Sequence, residues 1–124
     1  MKTAVYIRLA RPRYVAFYTR VARADADALS AQERQVTDYA EANGYESGEF
    51  NIHRFYRDNG VTGSTLDRPG MNKLMADVRE GRVDVLIVKD LSRVARNYLL
   101  MEDWFQFLKK HSVRFISAND GIIE

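Results

Sequence analysis

Four arginines carry the chemistry this sequence offers. Arg20 ends the apolar run Ala16-Phe17-Tyr18-Thr19, Arg68 follows the glycine-punctuated stretch from Asp58 to Asp67, and Arg93 and Arg96 stand three apart in Asp90-Leu91-Ser92-Arg93-Val94-Ala95-Arg96-Asn97. A guanidinium forks onto phosphate oxygens, keeps its charge and stabilises the extra charge of a pentacovalent transition state, so a convergent set suits metal-free phosphoryl transfer. Each arginine alone reads as a solvated surface charge; only the set of four points to phosphate. The spacing Arg93-x-x-Arg96 puts both on one helical face if that segment is helical. The chain has no cysteine, which excludes thiol catalysis, disulfides and thiolate metal sites, and His53 and His111 make no metal-ligand spacing. No metal or cofactor is expected.

Those residues must be brought together by the elements between them. Ala16 to Ala22 reads as a first strand. From Ala28 to Asn43 the apolar positions Leu29, Val36, Tyr39 and Ala40 recur at helical spacing before the stop Asn43-Gly44, with Asp25 or Asp27 as cap. Glu49 to Tyr56 alternates as a second strand; Asp58 to Arg68 is a loop, and Pro69 suits the first turn of a helix carrying Met71, Leu74, Met75 and Val78 up to Gly81. Val83 to Val88 is a short β-branched run, as in a strand buried on both faces. A helix over residues 97–111, with Leu100, Trp104, Phe107 and Leu108, and a strand Val113 to Ser117 complete the pattern. Alternating strands and helices predict an α/β sheet, mainly parallel, of about four to five strands with helices on both faces. Sites in such sheets form beyond the carboxyl ends of the strands, where Arg20, Arg68, Arg93 and Arg96 are all expected.

The bulk properties agree. A chain of 124 residues, 46% hydrophobic and 29% charged, suits one domain. The net charge of +2 and pI near 9.0 permit a polyanionic partner without requiring one. Its distribution is polarised: Lys2, Arg8, Arg11, Arg13, Arg20 and Arg23 precede an acidic stretch with Asp25, Asp27, Glu33, Asp38, Glu41 and Glu46. Arg8 breaks the N-terminal apolar run too early for a signal peptide, and with no long apolar run the expected location is the cytoplasm. Ala4 to Arg11 and Ala16 to Arg23 match in character at an offset of twelve residues. Residues 1–13 are therefore expected to be an extra edge strand or arm, with chance similarity as the alternative.

Tyr18-Thr19-Arg20-Val21-Ala22 resembles the Tyr-x-Arg-Val-Ser signature of the serine site-specific recombinases, the resolvase and invertase family. Three further stretches follow in the family's order. Ala28-Leu29-Ser30-Ala31-Gln32 is similar to its Ser-Leu-x-x-Gln, Asp58-Asn59-Gly60-Val61-Thr62-Gly63 with Asp67-Arg68-Pro69-Gly70 to its Asp-(Asp/Asn)-Gly-x-(Ser/Thr)-Gly loop and Arg-Pro, and Val88 to Asn97 to the Val-Lys-Asp-Leu-Ser-Arg-x-Gly-Arg-Asn of large serine recombinases of mobile elements. The resemblance spans Tyr14 to Glu124 and fixes the second of the two similar runs as the first strand.

The resemblance implies a resolvase-like three-layer sandwich and a single catalytic domain over 1–124, without the long dimerisation helix and C-terminal DNA-binding domain of full-length members. It implies DNA as partner, a homo-oligomer (dimer or tetramer) in the full-length protein, and no membrane. Arg20, Arg93 and Arg96 match the arginines that bind the scissile phosphate, Arg68 a further active-site arginine, Gln32 a supporting helix residue and Thr62 a common hydroxyl position. Ser92 stands where many members have aspartate, for which Asp90 could compensate, and Ala95 replaces a common glycine. Ala22 is the main departure, because the family's nucleophilic serine oxygen becomes joined to a DNA 5′-phosphate and alanine cannot form that ester. Losing the nucleophile of a covalent mechanism costs about a millionfold. Thr19 is expected on the opposite strand face from Arg20 and Ser30 on the following helix, so neither replaces it. Two readings stand: a recombinase catalytic domain whose nucleophile is absent, by engineering or divergence, or a non-catalytic DNA-binding or regulatory relative that keeps the phosphate pocket. A general nucleotide-binding module is weaker, since no Gly-x-Gly-x-x-Gly or Walker loop occurs.

Overall fold

A computed structural model describes residues 11–122. Its strands are β1 (Arg13–Val21), β2 (Asn51–Asn59), β3 (Val85–Val88), β4 (Arg114–Ser117) and β5 (Gly121–Ile122), and its helices α1 (Ala26–Ala42), α2 (Pro69–Arg79) and α3 (Tyr98–Lys110). The sheet order is β2-β1-β3-β4-β5. The first four strands are parallel and β5 runs antiparallel to β4. The expected mainly parallel sheet with helices on both faces is what forms. Of the extra strand or arm expected over residues 1–13, residues 1–10 lie outside the described residues, while Arg13 opens β1.

Side-chain alternation along β1 divides the core. Val15 and Phe17 pack with Val85, Ile87 and Ile116 against Val36 and Ala40 of α1. Ala16 and Tyr18 face the other way with Leu86, Val88 and Phe115, under Met71, Leu74 and Val78 of α2 and Met101, Trp104 and Leu108 of α3. β1 is buried from Val15 onward, as a central strand covered on both faces must be. Among the described residues no helix is long and apolar enough to cross a membrane.

Two of the boundaries that differ from the sequence reading have a physical reason in the hydrogen bonds. β2 runs on to Asn59, because the ladder with β1 continues through Arg20↔Asp58 and Val21↔Asn59. Asp58 therefore belongs to a strand end and not to a loop. β3 begins only at Val85, since the Asp84 carboxylate turns to accept the Tyr14 amide at 2.7 Å and the Arg11 guanidinium. The helix caps follow expectation: Asp25 accepts from the Ala28 amide, and Pro69 opens α2.

Candidate functional site

β1 delivers Arg20 to the carboxyl edge of the sheet in a tightly held backbone. The side-chain amide of Gln32, on α1, accepts from the Arg20 amide and donates to the Arg20 carbonyl, both at 3.0 Å, so it pairs with this residue as another strand would. The Arg20 side chain is only 2% exposed. Its guanidinium donates to the carbonyls of Arg93 (2.9 Å), Val61 (2.9 Å) and Ser92 (2.6 Å), which joins the loops after β2 and β3.

Arg68 lies beside it, equally buried, donating to the carbonyls of Arg93 and Val94 with its guanidinium 5.6 Å from the Tyr18 ring centroid. Arg93 closes the arrangement by donating back to the Arg20 carbonyl at 3.2 Å, and its Nε stands 3.6 Å from the Asp90 carboxylate. Burial pushes the Arg20 pKa down, and so do Arg68, Arg93 and Arg96, each adding positive charge to the same small volume. An anion placed here would relieve that mutual repulsion.

Arg93 and Arg96 do not share a helical face, because the condition for it, a helix running through both, is not met. Only Leu91–Arg93 form one 3-10 turn, which ends before Arg96. The carbonyls of Ser92, Arg93 and Val94, which a continuing helix would bond to amides four residues on, are taken instead by Arg20 and Arg68. Asn97 then caps a new helix, its side-chain oxygen accepting from the Leu99 and Leu100 amides. Asp90 caps the short turn through the Ser92 amide and accepts the Ser92 hydroxyl. Ser92 thus faces Asp90, and its contribution to Arg20 is its carbonyl.

A cleft of about 500 Å³ opens over Arg20, lined by Ala22, Thr62, Gly63, Ser64, Arg96 and Asn97. Ala22 follows β1 directly and is exposed to this cleft, as are Thr62 and Arg96. Of the expected site residues, then, Arg20, Ala22, Thr62 and Arg96 line the opening, while Arg68, Arg93 and Gln32 brace Arg20 from behind. Thr19 is fully buried on the α1 face and Ser30 is exposed on α1; neither lines the cleft.

Sequence reasoning assigned no role to several residues that the fold brings in. Asp58, 2% exposed, accepts from the Tyr18 hydroxyl (2.6 Å) and from the Gly70 (2.7 Å) and Met71 (3.0 Å) amides. It caps α2 from the neighbouring strand, since Arg68 at the cap position makes no side-chain capping bond. Gly70 permits this approach, for a Cβ there would lie 2.5 Å from the Arg57 carbonyl oxygen. Asn97 and Ser64 were legible only as motif neighbours.

Comparison with known proteins agrees with this fold. The family model described as "Resolvase, N terminal domain" matches residues 15–124. A protein of Sinorhizobium fredii (strain NBRC 101917 / NGR234) named "Probable DNA-invertase y4cG" is 37% identical over 70 residues, 56% of this chain and 22% of that protein, so the chain spans far less than the length of this curated relative. The N-terminal catalytic domain of TP901-1 integrase superposes with a TM-score of 0.75 at 29% identity, over 88% of this chain and 80% of that one. A resolvase family site-specific recombinase from Streptococcus pneumoniae gives 0.71 at 29% identity, over 89% and 74%. Four ordered motifs, the sheet they are set on and the match over residues 15–124 lead to one conclusion: this chain belongs to the resolvase N-terminal domain family, the catalytic domains of the serine recombinases.

Proposed function

We propose that this chain is the catalytic domain of a site-specific DNA recombinase that holds a DNA phosphate but, with Ala22 at the nucleophile position, does not form the covalent protein–DNA link of its family. The observation that carries the reading is the cleft itself: Ala22 shares it with Arg20, Arg96 and Thr62. In this role Arg96 and the outward edge of Arg20 hold the phosphate, Thr62 donates its hydroxyl, and Arg93, Arg68 and Gln32 fix Arg20. Ser92 contributes through its carbonyl and through Asp90. The proposal extends to a single catalytic domain over 1–124, to DNA in the cytoplasm as partner, and to a homo-oligomeric full-length protein. No metal or cofactor enters it, because a serine recombinase keeps the bond energy in a protein–phosphate ester.

The test is an adduct assay. The chain and its Ala22→Ser variant are incubated with suicide substrates carrying candidate crossover sites, and covalent protein–DNA species are resolved by denaturing electrophoresis. An adduct with the variant alone is expected. An adduct with the unmodified chain would overturn the reading of Ala22, and DNA binding by both without any adduct would point to the regulatory relative.

A further inference from the structure

Between exposed Thr62 and Ser64 the loop after β2 touches down at Gly63, which is buried. A Cβ built there would lie 2.8 Å from the Arg20 Nη2 and 3.0 Å from its Cζ, well inside ordinary van der Waals contact. The backbone at Gly63 is not in the left-handed region, unlike Gly60 at φ 78°, so glycine is required by contact and not by conformation. We propose that Gly63 is a positioning residue for Arg20: its bare backbone is the floor on which the guanidinium lies, and any side chain there displaces it.

The displacement has nowhere harmless to go. If the loop moves outward, the bond from Nη1 to the Val61 carbonyl, two residues earlier in the same loop, is broken. If the guanidinium moves instead, it leaves the carbonyls of Ser92 and Arg93, which belong to the segment that carries Arg93 and Arg96. A guanidinium has five N–H donors. Three are used on these carbonyls, and the other two are what Arg20 has left for an anion in the cleft it lines. Gly63 therefore fixes both the contact between the two loops and the direction of the free donors. Only this last consequence rests on the phosphate reading above; the placing of Arg20 does not.

The experiment compares Gly63→Ala, Arg20→Lys and the double variant with the unmodified chain. The Arg20 Nε–H resonance, assigned by its loss in Arg20→Lys, reports the guanidinium directly in ¹H–¹⁵N spectra. In Gly63→Ala it is expected to shift and to exchange with water at least about tenfold faster, and affinity for a duplex oligonucleotide is expected to fall about tenfold. Lysine has no atom in place of Nη2, the one nearest the added Cβ, so adding Gly63→Ala to Arg20→Lys is expected to cost less further thermal stability than adding it to the unmodified chain. If Gly63→Ala alone fails to fold, the double variant decides, since its recovery of folding is the same coupling. An unchanged Arg20 resonance, or an equal loss of stability from Gly63→Ala in both backgrounds, would overturn the proposal. A displaced resonance with undiminished DNA affinity would uphold the placing of Arg20 and count instead against the phosphate reading.

Discussion

Four arginines of one chemical type divide into two physical roles. Arg20 and Arg68 are buried and half-buried Arg93 joins them, all with donors on backbone carbonyls, whereas Arg96 is exposed at the rim of the cleft. Truncating Arg68 leaves the carbonyls of Arg93 and Val94 without that donor, at a cost of about 2–3 kcal/mol. We expect Arg68→Ala to lower the urea midpoint clearly and Arg96→Ala to leave stability within about 0.5 kcal/mol, while both weaken DNA binding; equal stabilities would contradict the division. The tyrosines offer a second residue-scale test. Burial, then a hydrogen bond to a carboxylate, raises the pKa of Tyr18 (to Asp58) and of Tyr56 (to Asp77) above the ordinary 10.0. Above pH 10 the unfolded chain releases these protons while the folded one keeps them, so the stabilisation is whole below pH 10 and is lost as pH rises beyond it. Absorbance at 295 nm should show Tyr18 and Tyr56, of the seven tyrosines in the chain, ionising only as the protein unfolds.

At the scale of elements, each piece of the site is held by a neighbour distant in sequence. Gln32 of α1 clasps the end of β1, and Asp58 of β2 caps α2. Asn97 joins two tasks, capping α3 and lining the cleft. Removing the cap in Asn97→Ala should cost about 0.5–2 kcal/mol. Asn97→Asp keeps an acceptor for the Leu99 and Leu100 amides and suits the positive end of the helix, so stability should hold in thermal melts. Its new charge faces the cleft, and DNA affinity should nonetheless fall. A variant that melts early yet binds normally would show that Asn97 serves the helix alone.

For the whole molecule, the parallel order β2-β1-β3 sets three strand ends side by side, and the loops leaving them form the arginine cluster. Binding by such a cluster is dominated by phosphate contacts and counterion release, with log K falling by about 0.9 per phosphate neutralised for each decade of salt. DNA binding by this chain should therefore be weak, nearly indifferent to sequence and steeply salt-dependent, and Arg96→Ala should reduce the slope of a fluorescence anisotropy titration by about one contact. Tight, salt-insensitive binding to a single sequence would argue for a different interface.

The sequence by itself determined the order of elements as far as β4, the fold class and the candidate arginines, because apolar periodicity, caps and breakers act over a few residues and the motifs stand at fixed spacing. A helix cap at Asp25 or Asp27 and the first-turn Pro69 were legible for the same reason, and the structure chose Asp25. What only the tertiary structure decided was the use of each group. Helical spacing would put Arg93 and Arg96 on one face if the segment were helical; the carbonyls that such a helix needs are taken by Arg20 and Arg68, which come from other parts of the chain. Asp58 read as a loop residue and became a buried cap, because its partners, Tyr18 on the neighbouring strand and Gly70 at the start of α2, meet it only on folding. Gly63 read as a motif glycine; its reason is a guanidinium 43 positions earlier, and no local signal can announce a contact made by folding.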